Sequence, residues 1–169
     1  MRFFTLPIFF VAVLVTSSPS LAAPAISTPL AIQAQNLVAL LSDGNAVGYP
    51  QAMLIQKTKI GSNQELTLTV LTLEGFGGGN NWAQYLAAFS QETTEKGKSH
   101  YMLIDVMRIG GGAWRAVQTL NARVTATSQS NEAIIVIDTL ANTDDDPPNF
   151  PSKKATLKLL LKNGRFSEQ

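Results

Sequence analysis

The spacing of hydrophobic residues changes character twice along this chain. An unbroken apolar run from Phe3 to Val15 follows Met1-Arg2 and gives way to Thr16-Ser17-Ser18-Pro19. Farther on, Leu30, Ala34, Leu37, Val38 and Leu41 recur three and four residues apart, which predicts one amphipathic helix over about residues 29–42. Thr28 is placed to cap it, Pro29 suits its first turn, and Ser42-Asp43-Gly44 supplies the stop.

After Pro50 the period falls to two, the signature of strands. Segments 52–60 and 64–74 read as a pair joined at Gly61-Ser62-Asn63, with Leu66, Leu68 and Val70 opposed to Thr67 and Thr69. The phase slips at Leu71 and Leu73, which predicts either a bulge or a strand end buried on both faces. Segment 82–89 reads as a strand for its aromatic content, with a helical turn as the alternative. Strands are predicted over 101–109, 117–127 and 132–139, with Ser128-Gln129-Ser130-Asn131 turning before the last of these. Ala133-Ile134-Ile135-Val136-Ile137 lacks polar alternation and predicts a central strand covered on both sides. The final segment alternates Ala155, Leu157, Leu159 and Leu161 with Lys154, Thr156 and Lys158, the pattern of a lysine-protected edge strand. Asn163-Gly164 then predicts a type I′ hairpin into Arg165-Phe166-Ser167. The expected fold is α+β, an N-terminal helix packed on a curved antiparallel β-meander of about seven strands. A β-sandwich with a peripheral helix is the alternative.

The first 22 residues read as a secretory signal peptide, because one positive charge, a short apolar run and the exit Ser20-Leu21-Ala22 match what signal peptidase requires. The apolar run is too short for a membrane span of about 20 residues, so no stable membrane insertion is expected after cleavage. Subtracting 22 from 169 leaves 147 residues, 23–169, the size of a single globular domain. The expected location is periplasmic or secreted. Cysteine is absent, which excludes disulfides, thiolate nucleophiles and cysteine-ligated metals. Thirteen basic residues face twelve acidic ones, and loss of Arg2 with the leader makes the remainder neutral, so no field favours nucleic acid.

Two glycine clusters carry the candidate chemistry: Gly75-Phe76-Gly77-Gly78-Gly79-Asn80-Asn81-Trp82 and Ile109-Gly110-Gly111-Gly112-Ala113-Trp114-Arg115. They read as two copies of one strand-loop-strand unit or as two loops at the same sheet edge. Neither leads into the Gly-Lys-Ser/Thr of a phosphate loop, and no strand-helix alternation surrounds them. The candidate ligand-binding residues are Trp82, Trp114, Asn80, Asn81 and Arg115: indoles that stack on a sugar or peptide, with amide and guanidinium donors beside them. The first reading of the glycines themselves is that they only shape the sheet, permitting sharp bends, bulges or close strand contact, and the binding edge is the second.

No catalytic residue, metal site or cofactor is assigned. His100 is the sole histidine and cannot build a zinc site, and no Gly-x-Ser-x-Gly elbow occurs. Asp105 and Asp138 sit within apolar strands, where Arg108, Arg115 and Arg123 are candidate ion-pair partners. Asp144-Asp145-Asp146 lacks the ligand spacing of an EF-hand and reads as a solvated acidic turn.

The sequence Leu73-Glu74-Gly75-Phe76-Gly77-Gly78-Gly79-Asn80, followed by Gln84-Tyr85-Leu86-Ala87-Ala88-Phe89 and by Trp114-Arg115-Ala116-Val117, resembles a loosely defined set of small periplasmic or secreted bacterial proteins of uncharacterised activity. Members of that set often close with an Asp and a Cys-Cys-Pro-Ser segment. Asp146-Pro147-Pro148-Asn149-Phe150-Pro151-Ser152 resembles that closing segment, with Asn149 and Phe150 where the cysteines would stand.

The leading functional expectation is a non-enzymatic binding module that meets an envelope glycan, a peptide or a protein. An enzyme would need an acid/base pair among Asp105, Asp138, Glu74 and His100. A structural or inhibitory protein would instead show an apolar patch around Trp82 and Phe76 that a partner buries.

Overall fold

The computed structural model describes residues 27–60, 64–129 and 132–169. The expected signal peptide over residues 1–22, the expected connection at Gly61-Ser62-Asn63 and part of the expected turn at 128–131 lie outside the described residues. Helix α1 spans Thr28–Leu41, with Ser27 rather than Thr28 at the N-cap position and no side-chain cap bond. Pro29 occupies its first turn, and Leu30, Ala34, Leu37 and Val38 are its buried stripe. Asp43 closes the turn after it: one carboxylate oxygen accepts the Asn45 and Ala46 amides, both at 3.0 Å.

Ten strands follow: β1 (Val47–Gly48), β2 (Leu54–Ile60), β3 (Gln64–Phe76), β4 (Asn81–Thr93), β5 (Ser99–Gly111), β6 (Arg115–Ala116), β7 (Arg123–Ala126), β8 (Glu132–Ala141), β9 (Lys153–Lys162) and β10 (Arg165–Glu168). A single 3-10 turn, Pro50–Ala52, precedes β2 where the sequence predicts the strand to have begun. All strands belong to one antiparallel meander, ordered β1-β3-β4-β5-β6-β8-β9-β10, with β2 sharing an edge of β3 with β1, and β7 sharing an edge of β8 with β6. Two of the strands beyond the expected seven, β1 and β6, have two residues each, too short to leave a period in the sequence.

The sheet folds over so that its two halves share one core. Leu66, Leu68 and Val70 of β3 and Leu86 and Ala88 of β4 pack in the same cluster as Ala133, Ile135 and Ile137 of β8 and Leu157, Leu159 and Leu161 of β9. On the opposite face of β3 and β4, Leu71, Leu73, Ala87 and Phe89 pack against α1. The apparent phase slip at Leu71 and Leu73 is therefore burial on both faces. Thr67 and Thr69 lie on that same odd-numbered face and are fully buried, while the bulge falls later, between Glu74 and Phe76. Each large aliphatic side chain so buried contributes about 1.5–3 kcal/mol.

Three further expectations are corrected. Segment 117–127 is not one strand: only β7 forms, and 117–122 is irregular where the chain passes between the halves. β8 is central, yet Ile134 and Val136 on its outer face are only half-buried. β9 is an open edge only over its first half, because β10 pairs with Leu159 to Lys162 and leaves the lysine-bearing start of the strand without a strand partner on that side. The predicted type I′ hairpin is present, with φ of 51° at Asn163 and 72° at Gly164.

Candidate functional site

Both glycine clusters lie at one end of the sheet, as loops at a common edge. The first forms the β3–β4 hairpin, where Gly77 and Gly78 take φ of 67° and 72°, a region open to glycine at little cost. The second runs along β4, with Gly111 opposite Ala83 and Gly110 opposite Gln84. A Cβ on Gly110 would stand 2.5 Å from the Arg115 carbonyl oxygen, so this strand must be bare for β6 to fold back on β5.

Direct pairing across three strands sets Val47, Glu74 and Trp82 in one row. Directly opposed residues share a face, and here it is the inner face, beyond the point where the second half of the sheet covers it. The opposite wall is 116–118, and the loop 149–151 closes the side. Together they enclose a cleft of about 710 Å³.

The floor is built by Gln84, a buried side chain sequence reasoning passed over. Its amide donates to the Val117 carbonyl at 3.0 Å and to the Thr72 hydroxyl at 3.2 Å, and its oxygen accepts the Val117 amide at 2.7 Å. Gln56 does the same for Ala122, accepting its amide at 2.6 Å and donating to its carbonyl at 2.8 Å. Two glutamines thus stand in for a neighbouring strand and fasten the irregular crossover.

The side wall is held by four hydrogen bonds. Asp146 accepts the Thr143 and Ser152 amides at 2.9 and 3.1 Å, and the Ala113 amide donates to the Pro148 carbonyl. The Trp82 indole N–H donates to the Asn149 side-chain oxygen at 3.0 Å. That bond fixes the indole and consumes its donor, leaving the ring as what Trp82 offers a ligand. Phe150, 71% exposed, stands on the same rim. At the hairpin, the second Asp43 oxygen accepts the Gly77 amide at 2.8 Å. This amide bond, more than any other, holds the Asp43 carboxyl below its ordinary value of 3.8, and the Thr143 amide does the same for Asp146.

Of the five sequence-predicted residues, the cleft gathers Asn80 and Trp82. Asn81 is exposed at the start of β4 outside the lining. Trp114 is 42% exposed and covers Arg115, whose guanidinium carbon lies 4.1 Å from the ring centroid. Arg115 is buried and fully engaged: it donates to the Ile109 carbonyl and, through both terminal nitrogens, to the Glu168 carboxylate at 2.5 and 2.6 Å. This bidentate pair holds the Glu168 carboxyl below its ordinary 4.5. Glu74, Asn149 and Phe150 join the site instead; the first pairs opposite Trp82, and the others arrive from a loop 67 residues away.

The four acid/base candidates are kept apart. His100 pairs opposite Glu92, ten residues along β4 from Trp82, a separation of roughly 33 Å from the Glu74 end. Asp105 accepts the Phe166 amide at 2.7 Å, and Asp138 is bidentate to Arg123 at 2.9 and 3.1 Å. Phe76 packs on the helix side of the hairpin, the face opposite Trp82, so the two do not form one apolar patch. Among the described residues no group of three or more metal-capable side chains gathers, and no helix is long and apolar enough to cross a membrane. No protein-family profile, curated protein or solved structure matches this chain.

Proposed function

We propose that this chain is a non-enzymatic binding module of the cell envelope or the exterior, and that its ligand occupies the cleft at the glycine-loop end. The observation that carries this reading is the fixed Trp82 ring in a cleft of about 710 Å³, locked by Asn149, with the exposed Phe150 also lining the cleft. Aromatic faces with a few convergent amides are how concave sites take up sugars and peptides. The leader-like N-terminus and the motif resemblance support an exported setting.

The test is intrinsic fluorescence in a Trp114→Phe background, so that Trp82 alone reports, with titration of chitooligosaccharides, peptidoglycan fragments and short peptides. A saturable shift that Phe150→Ala abolishes is expected. Trp82 emission unmoved by every member of that panel would overturn the reading.

A further inference from the structure

We infer that the ligand is cationic: the ammonium or guanidinium group of a basic side chain, presented by a peptide and held by Glu74 between Trp82 and Phe150. The inference rests on the cleft being a binding site and names what it selects. Glu74 is the sole charged residue among those lining the cleft, and no lysine, arginine or histidine joins it. Glu74 is exposed, and its carboxylate makes no hydrogen bond or ion pair among the described residues. It shares that with Glu92, Glu95, Asp144 and Asp145 and differs from them in lining the cleft beside an indole, whereas Asp43, Asp105, Asp138, Asp146 and Glu168 are engaged. It stands directly across from Trp82 on the same face, so a cation meeting the carboxylate also meets an indole face.

Carboxylates also stand around the mouth. The loop that carries Asn149 and Phe150 also bears the exposed Asp144 and Asp145, and Asp43 sits on the hairpin at Gly77. The nearby Arg115 is neutralised by Glu168, and Arg108 lies against Gly111 outside the lining. Within the lining Glu74 alone sets the sign, so a cationic ligand meets an opposite charge there and an anionic one does not; the exposed Lys153 and Lys154, which follow the loop, stand outside the lining. The cleft is also larger than one ammonium group requires, and the side-chain amides of Asn45, Asn80 and Gln118 on its walls can pair with peptide N–H and C=O groups.

The experiment titrates the purified protein with four probes: N-acetyl-trilysine amide, the same peptide with all three lysines acetylated, spermidine and chitotetraose. Binding is followed by Trp82 emission in the Trp114→Phe background and by calorimetry. The expected result is saturable binding of the trilysine peptide, its loss on lysine acetylation, and about tenfold weakening in Glu74→Gln with the melting curve unchanged. Asp144→Asn and Asp145→Asn should weaken binding less than Glu74→Gln, as remote charges do. Chitotetraose binding that needs Trp82 but ignores Glu74→Gln would overturn the cationic inference and leave the binding-module reading standing. Spermidine binding as tightly as the peptide would overturn the peptide assignment. Silence from every probe would overturn this inference, and the larger panel given above would then decide the module reading by itself.

Discussion

At the seam between the two halves of the sheet, the irregular backbone of 117–122 finds its partners in the neutral amides of Gln84 and Gln56. At the mouth, the irregular backbone of the hairpin and of loop 143–152 finds them in the carboxylates of Asp43 and Asp146. The difference follows water. Gln84 is buried, where an ionised carboxylate would cost far more than an amide, whereas Asp43 is exposed and a charge there strengthens the bond it accepts. Gln56 and Asp146 are both half-buried, so Gln84 and Asp43 carry the contrast. The seam is thereby indifferent to acid and the mouth is sensitive to it.

The largest effect should come from the seam. Gln84→Ala strands the Val117 amide and carbonyl in the core and should destabilise the protein by about 3 kcal/mol in chemical denaturation. A loss below about 1 kcal/mol would mean that water replaces the amide and that the seam is not dry. Next, Arg115→Met should cost about 2 kcal/mol, because it leaves the Ile109 carbonyl and one carboxylate without their donor.

Acid sharpens the contrast. The carboxyls of Asp43 and Asp146 titrate lower when folded than when unfolded, so their stabilisation is complete above about pH 4 and is lost as pH falls through the depressed folded values. Below about pH 4 the Gly77 amide resonance should move with Asp43, the Val117 amide should stay still, and Asp43→Asn should flatten the Gly77 response. Equal movement at both amides would erase the distinction between seam and mouth. The smallest effect belongs to Trp114→Phe, expected within about 0.5 kcal/mol of the parent, since the ring is largely a surface cover for Arg115.

The elements with strong period-two or helical spacing were legible in the sequence: α1, the long strands β3, β8 and β9, and the Asn163-Gly164 turn. What escaped was whatever depends on two distant segments meeting. Gln84 and Gln56 look like any polar residue in a strand until Val117 and Ala122 arrive opposite them, 33 and 66 residues later. The site divides in the same way. Trp82 and Asn80 were visible beside their glycines, but Phe150 comes with a loop that is fastened by the Asn149–Trp82 bond across 67 residues and by the Ala113–Pro148 bond. Arg115, chosen as a ligand donor, is claimed by Glu168 from 53 residues away.

The two glutamine clasps also bear on the order in which the chain assembles. The hairpins β2–β3, β3–β4 and β4–β5 join neighbouring segments and close short loops, whereas the clasps span far longer ones. Contacts of that span form after the local ones, so the seam should be latched late, once both halves exist. Its loss should then speed unfolding more than it slows folding. In stopped-flow kinetics, Gln84→Ala and Gln56→Ala should raise the unfolding arm and leave the folding arm nearly in place, which would make these two side chains the timekeepers of how long the folded sheet persists.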